Sequence, residues 1–174
     1  MTITSALANS KLTWSYPGAD GHEFVLRADG AEIGRLRFTG DADVRSAAEL
    51  EGQRWTFVRT AARCPRISIY AEGSETPTAQ FMPCMTGGTV SFAGGRRYCW
   101  TRAHLWSTCW CFRCEEHKSS VCVSQEAGPL AGGGQVTVCA SAASLAETPV
   151  LVLLAWYLRV LEFEKLAETD FVCG

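Results

Sequence analysis

Histidine is scarce in this chain, three in 174 residues, and the motifs that organise common catalytic sites are missing. There is no nucleophile elbow, no phosphate loop, no pair of catalytic carboxylates and no HExxH sequence. A nucleophilic hydrolase would have to pair a cysteine with His22, His104 or His117, whereas lone histidines in strands usually serve packing or the surface. An enzyme is therefore not the expected class, and no cofactor is expected. Basic runs are also missing. The net charge of -2 argues against a general nucleic-acid binder, which carries a basic excess. No apolar run reaches the roughly 20 residues needed to cross a bilayer, so no transmembrane segment is expected. The first ten residues, MTITSALANS, have neither the basic start nor the apolar centre of a secretory leader. Cys173 stands one position too late for prenylation, and no glycine follows Met1 for myristoylation. These absences point to a cytoplasmic protein, peripheral at a membrane if it meets one at all.

Hydrophobic residues make up 47% of the chain, enough for the core of a single domain over residues 1–174. Charge is unevenly spread. Between Arg54 and Lys118 nine Lys or Arg face four acids, so the middle of the chain is positive and the flanks are negative. Such a middle suits an anionic partner, although arginines scattered over a strand-rich surface give the same count. Nine cysteines is many, and the number is odd. Without a leader, this favours free thiols in a reducing compartment over a disulfide framework.

The stretch PVLVLLAWYLRVLEF, Pro149 to Phe163, is apolar on every side for most of its length. An amphipathic surface helix would carry polar residues every three to four positions, and none appears between Val150 and Leu158. The spacing predicts a helix over 149–166, opened by Pro149 and capped by Thr148, buried all round. Burying about ten such side chains contributes on the order of 15 to 30 kcal/mol, gross of the entropy that opposes it.

Strands precede it. Leu12, Trp14 and Tyr16 alternate with polar neighbours before Pro17-Gly18, after residues 1–10, which read either as a tail or as a poorly marked first strand. Asp29-Gly30 is a strong hairpin signal between His22–Arg27 and Ile33–Phe38. Arg45 to Gly52 reads as a helical turn or a loop. Alternation returns at Trp55–Arg59, Ile67–Tyr70, Thr78–Met82, Val90–Phe92 and Arg96–Arg102, then at His104–Cys114, the longest candidate, and finally at Val121–Val123 and Val136–Val138. About ten to twelve short strands followed by one greasy helix predict a mainly β protein. A sandwich leaves no place for a helix apolar on all sides, whereas a closed antiparallel barrel of about 12 strands holds one in its lumen.

Phe92 with Gly94-Gly95, then Tyr98, Trp100 and Trp106, followed by the apolar segment Val150–Leu161, resembles the tubby-like superfamily of Tubby C-terminal domains, phospholipid scramblases and LURP-one-related proteins. The resemblance runs from about Leu12 onward and implies a barrel threaded by its C-terminal helix. It also implies a binding or scaffold role, with an anionic phospholipid headgroup or a protein partner at the barrel surface. The chain departs from the better-known branches. It has no consecutive-cysteine stretch, no proline-rich N-terminal region, and no acidic loop after the last strand to hold calcium.

Two sets of residues carry candidate chemistry. Arg96, Arg97 and Arg102 share one predicted strand with Tyr98 and Trp100, and arginine forks bind phosphate in bidentate fashion. Alternation puts Arg97 on the opposite face from the other two. Cys109, Cys111, Cys114 and His117 have the right chemical types for zinc, in an unusual C-x-C-x2-C-x2-H spacing. Here alternation aims Cys109 and Cys111 at one face and Cys114 at the other, where a cysteine behaves as a small buried hydrophobe.

Overall fold

The structure is a computed structural model that describes Leu7, 10–17, 23–39, 45–60, 65–104, 107–114, 116, 119–125 and 133–162, with the terminal helix followed in backbone to Asp170. Twelve strands run in chain order: β1 (Leu12–Ser15), β2 (Glu23–Ala28), β3 (Ala31–Thr39), β4 (Arg45–Leu50), β5 (Gln53–Arg59), β6 (Ile67–Ala71), β7 (Ala79–Cys84), β8 (Gly87–Phe92), β9 (Arg97–Arg102), β10 (Trp110–Cys114), β11 (Ser119–Ser124) and β12 (Gly134–Val138). A short helix α1 (Ala140–Ala143) and the long helix α2 (Thr148–Asp170) follow. Each strand pairs antiparallel with the next, and β12 pairs back onto β1 from Leu12↔Val136 to Trp14↔Gly134, so the sheet is a closed up-and-down barrel. Closure removes the unpaired strand edges through which open sheets associate.

The side chains that alternate into the lumen are those whose apolar spacing predicted the strands. Leu36 and Phe38 point inward while Arg35 and Arg37 stay exposed, and Tyr98 and Trp100 are buried between exposed Arg97 and Cys99. Asp29 and Gly30 both take positive φ, 49° and 89°, the type I′ geometry that matches the twist of a hairpin. Glu51-Gly52 does the same at 46° and 81°. That second turn explains a departure from expectation: 45–50 is strand β4, not a helical turn or loop. Alanine and glutamate favour helix in isolation, but Ser46, Ala48 and Leu50 alternate inward, and pairing with β3 and β5 overrides local propensity. The strand expected over His104–Cys114 is also shorter, beginning at Trp110, because Ser107 N–H closes a turn onto the His104 carbonyl.

Helix α2 fills the lumen. Every residue from Val150 to Tyr157 is buried, as are Val160 and Leu161. Its rings interlock with the wall. Trp156 stacks on Trp14 (centroids 5.7 Å apart) and meets Phe24 edge-on, while Tyr157 stacks on Phe38 at 5.4 Å and meets Phe57 edge-on at 5.2 Å. Such pairs contribute about 0.5–1.5 kcal/mol beyond area burial. Gly134 makes room for this: a Cβ there would lie 2.5 Å from Trp156 Cζ3. The helix is longer than the 149–166 predicted, and its entry differs. Leu151 N–H donates to the Glu147 carbonyl, so Glu147 supplies the capping carbonyl, while the Thr148 hydroxyl donates back to Ala142. Leu7 is also part of the core, so 1–10 is not wholly a tail.

Candidate functional site

With the lumen occupied by its own helix, a ligand must meet the outer wall or a mouth of the barrel. Two grooves stand out. The larger, about 1130 Å³, lies on the outer faces of β3 to β6. Its arginines Arg35, Arg37, Arg45 and Arg54 are matched by four glutamates. Arg35 and Arg37 both bridge Glu23, and Arg54 bridges Glu49 and Glu72, so this face largely neutralises itself. Hydrogen bonds and charge, from Glu32 foremost and then Glu23 at Arg35 and from Glu49 and then Glu72 at Arg54, raise both above the ordinary guanidinium value.

The smaller groove, about 710 Å³, opens at the mouth where α2 emerges. Its floor is apolar, built from Ile67, Phe81, Trp100, Trp110, Leu158 and Leu161. Arg59, Arg102 and His104 line it with a single acid, Glu162. Fully exposed Met85 lies on the adjoining β7–β8 turn. Arg102 extends over the Trp110 ring, 5.2 Å from its centroid, and approaches Glu162 at 3.8 Å. Arg159, buried beneath, also pairs with Glu162, lies 5.8 Å from the same ring and donates to Gln125. One carboxylate thus faces two guanidiniums. Burial pulls the Arg159 guanidinium below its ordinary value, Glu162 opposes that, and Arg102 adds to it. Cation–π contact with Trp110 holds the Arg102 head at the groove edge rather than in open water.

The three arginines picked out in the sequence do not form one site. Arg96 precedes β9, and its Nη1 donates to both carboxylate oxygens of Glu147, at 3.0 and 2.8 Å. Arg97 faces outward and is exposed. Arg102 ends β9 at the opposite mouth. Six strand residues span about 20 Å, and the fifteen-residue rise from Glu147 to Glu162 spans about 22 Å of helix. Arg96 and Arg102 therefore tie the helix to one strand at both its ends, too far apart to share a phosphate. Of the three only Arg102 lines the mouth groove; Arg59 at the end of β5 and His104 just after β9 join it there.

Of the predicted metal set, Cys114 turns into the core and His117 lies outside the described residues. The structure brings a different third sulfur to Cys109 and Cys111. Cys122 lies directly across from Cys111 in the β10–β11 register, their Cα atoms 4.1 Å apart, and the two form a disulfide. The free-thiol expectation therefore fails at this pair. Cys109 Sγ is 3.9 Å from Cys111 Sγ, and all three sulfurs lie within 4.8 Å of one another. Burial raises the Cys109 thiol above its ordinary value, against the opposing pull of Arg113 and Arg159. The Val-Cys-Val alternation of 121–123 gave the only sequence signal for Cys122, an outward cysteine between two inward valines.

Fold and site together define a twelve-stranded meander barrel plugged by its own C-terminal helix, with an apolar, arginine-edged groove at the mouth where the helix leaves. No helix among the described residues is long and apolar enough to cross a membrane. Compared with protein-family models, curated proteins and solved structures, the chain finds no significant match.

Proposed function

We propose that this protein is a non-enzymatic binding module of tubby-like architecture that recognises anionic phospholipid through the mouth groove. One observation carries the reading: an apolar floor of tryptophan, phenylalanine and leucine side chains bordered by Arg102, Arg59 and His104, with one acid among its lining residues. An acyl chain gains from the floor, and a phosphate gains from the guanidinium forks at the edge. Exposed Met85 beside the groove adds a flexible apolar contact of the kind that adapts to irregular surfaces. The plugged lumen supports a surface reader rather than a carrier enclosing its ligand. The larger groove is the weaker candidate because its arginines are already matched by glutamates.

Flotation of the full chain with phosphatidylcholine vesicles, with and without phosphatidylglycerol, tests this. Binding is expected only with the anionic lipid and weakens as salt rises. Each basic side chain near a membrane surface contributes about 1 kcal/mol, so Arg59→Ala with Arg102→Ala lowers affinity by about thirtyfold. No binding, equal binding to neutral vesicles, or a folded double variant that binds like the parent overturns the proposal.

A further inference from the structure

The sulfur cluster on β10 and β11 lies outside the lipid reading, and it gathers three sulfurs on the outer side of the wall rather than in the lumen. Cys114 shows what packing looks like here: inward and within the hydrophobic core. Cys111 and Cys122 instead alternate to the outer side of the wall, between inward Trp110 and Phe112 on one strand and inward Val121 and Val123 on the other, where Cys111 is nevertheless covered and Cys122 half-buried. Cys109 stands two residues before Cys111, where the chain enters β10, and its carbonyl accepts from Ala103 N–H at 2.9 Å, which fixes the segment against the end of β9.

We propose that reduction of the Cys111–Cys122 disulfide converts this cluster into a three-thiolate site for one thiophilic d10 metal ion, with monovalent copper the best match. Three sulfurs each about 2.3 Å from a central ion stand about 4 Å apart in trigonal geometry. The Cys109–Cys111 pair is already at 3.9 Å, and the third sulfur is within 4.8 Å of both. Once the disulfide opens, side chains on directly opposed residues separate to that spacing without a change in strand register. Three thiolates around a monovalent ion carry a net charge of minus two, and Arg113 and Arg159 act on Cys109 as the nearby compensating charges. Soft thiolate sets select copper(I) over the harder divalent ions.

The chemistry balances in two steps. Two equivalents of a small thiol, RSH, reduce the disulfide: RS–SR forms, the Cys111–Cys122 bond breaks, and two protein thiols result. The ion then displaces three protons from Cys109, Cys111 and Cys122. Because binding releases these protons, uptake strengthens as pH rises. In the oxidised protein the cluster keeps one thiol, which makes the site redox-gated.

The test uses the full chain, reduced with a phosphine and desalted without oxygen, competing for copper(I) against bicinchoninate. The reduced protein is expected to bind one ion with an affinity at least about tenfold above that of Cys109→Ser or Cys122→Ser. The oxidised protein loses that site, and Cys84→Ser with Cys99→Ser, both exposed and outside the cluster, keeps it. Near-ultraviolet circular dichroism confirms that each variant retains its tryptophan packing. X-ray absorption on the unmutated, copper-loaded protein provides a readout independent of the variants, with three sulfurs at about 2.3 Å expected. Equal affinity in the folded Cys109→Ser variant, binding that survives oxidation, or a shell with fewer than three sulfurs overturns the proposal.

Discussion

Substituting Gly134 with alanine puts the contact between barrel wall and helix to a quantitative test. Gly134 has no positive φ to defend, so its backbone admits alanine, and relief of glycine's entropy would by itself stabilise the strand by about 0.5–1 kcal/mol. Against that, the new Cβ would stand 2.5 Å from Trp156 Cζ3 and 2.9 Å from the Ser124 carbonyl. Neither neighbour yields easily, because Trp156 is fully buried and stacked on Trp14. Overpacking of this kind costs about 1–3 kcal/mol, so Gly134→Ala is destabilising by about 1–2 kcal/mol after the entropic gain. Trp156→Ala leaves a cavity and costs about 3–5 kcal/mol. The two changes relieve one another: with the indole gone, the Cβ loses two of its three nearest contacts, and the Ser124 carbonyl remains. A double-mutant cycle followed by circular dichroism in guanidinium, without reductant, should therefore show a favourable coupling of at least about 1 kcal/mol. Additivity to within about 0.5 kcal/mol would refute the contact and the seating of the helix against β12.

Three further outcomes follow from the charges and thiols. Glu147→Ala removes the partner of Arg96 from a pair whose side chains are only 35% and 16% exposed, and should cost about 1–2 kcal/mol. Glu72→Ala, from the Arg54 pair at 60% and 66% exposure, should change chemical denaturation by less than about 0.5 kcal/mol. For the thiols, burial pushes Cys139 up, but hydrogen bonds from Ser141, Ser120 and Ala142 outweigh it and leave the thiol below its ordinary value. Cys109, pushed up by burial, goes the other way. Since only the thiolate attacks, iodoacetamide labelling followed by mass spectrometry should reach its half-maximal rate at lower pH for Cys139 than for Cys109.

The barrel was legible because its signals are local: alternation in Leu36–Phe38, Asp29-Gly30 at a hairpin, and a run from Val150 to Leu158 that no single face accommodates. Strand β4 was not, because Ala47, Ala48 and Glu49 favour helix and only pairing with β3 and β5 decides otherwise. The site was less legible for the same reason. Arg102 stood out for its aromatic neighbours, yet its separation from Arg96 depends on the length of β9, and its partner Glu162 is sixty residues away on the helix. Cys122 reaches Cys111 through strand register alone, eleven residues downstream and beyond any ligand-spacing motif.

Everything proposed for the surface depends on the lumen being closed to ligands by α2. Native-state amide hydrogen exchange across Leu151–Val160 measures this directly. These amides are expected to exchange only through global unfolding, with opening free energies equal to those of the buried amides of β3 and β9 and to the denaturant-derived stability. Exchange through a smaller opening, with the helix amides released while the strands remain protected, would mean that α2 leaves the barrel, and would contradict the account.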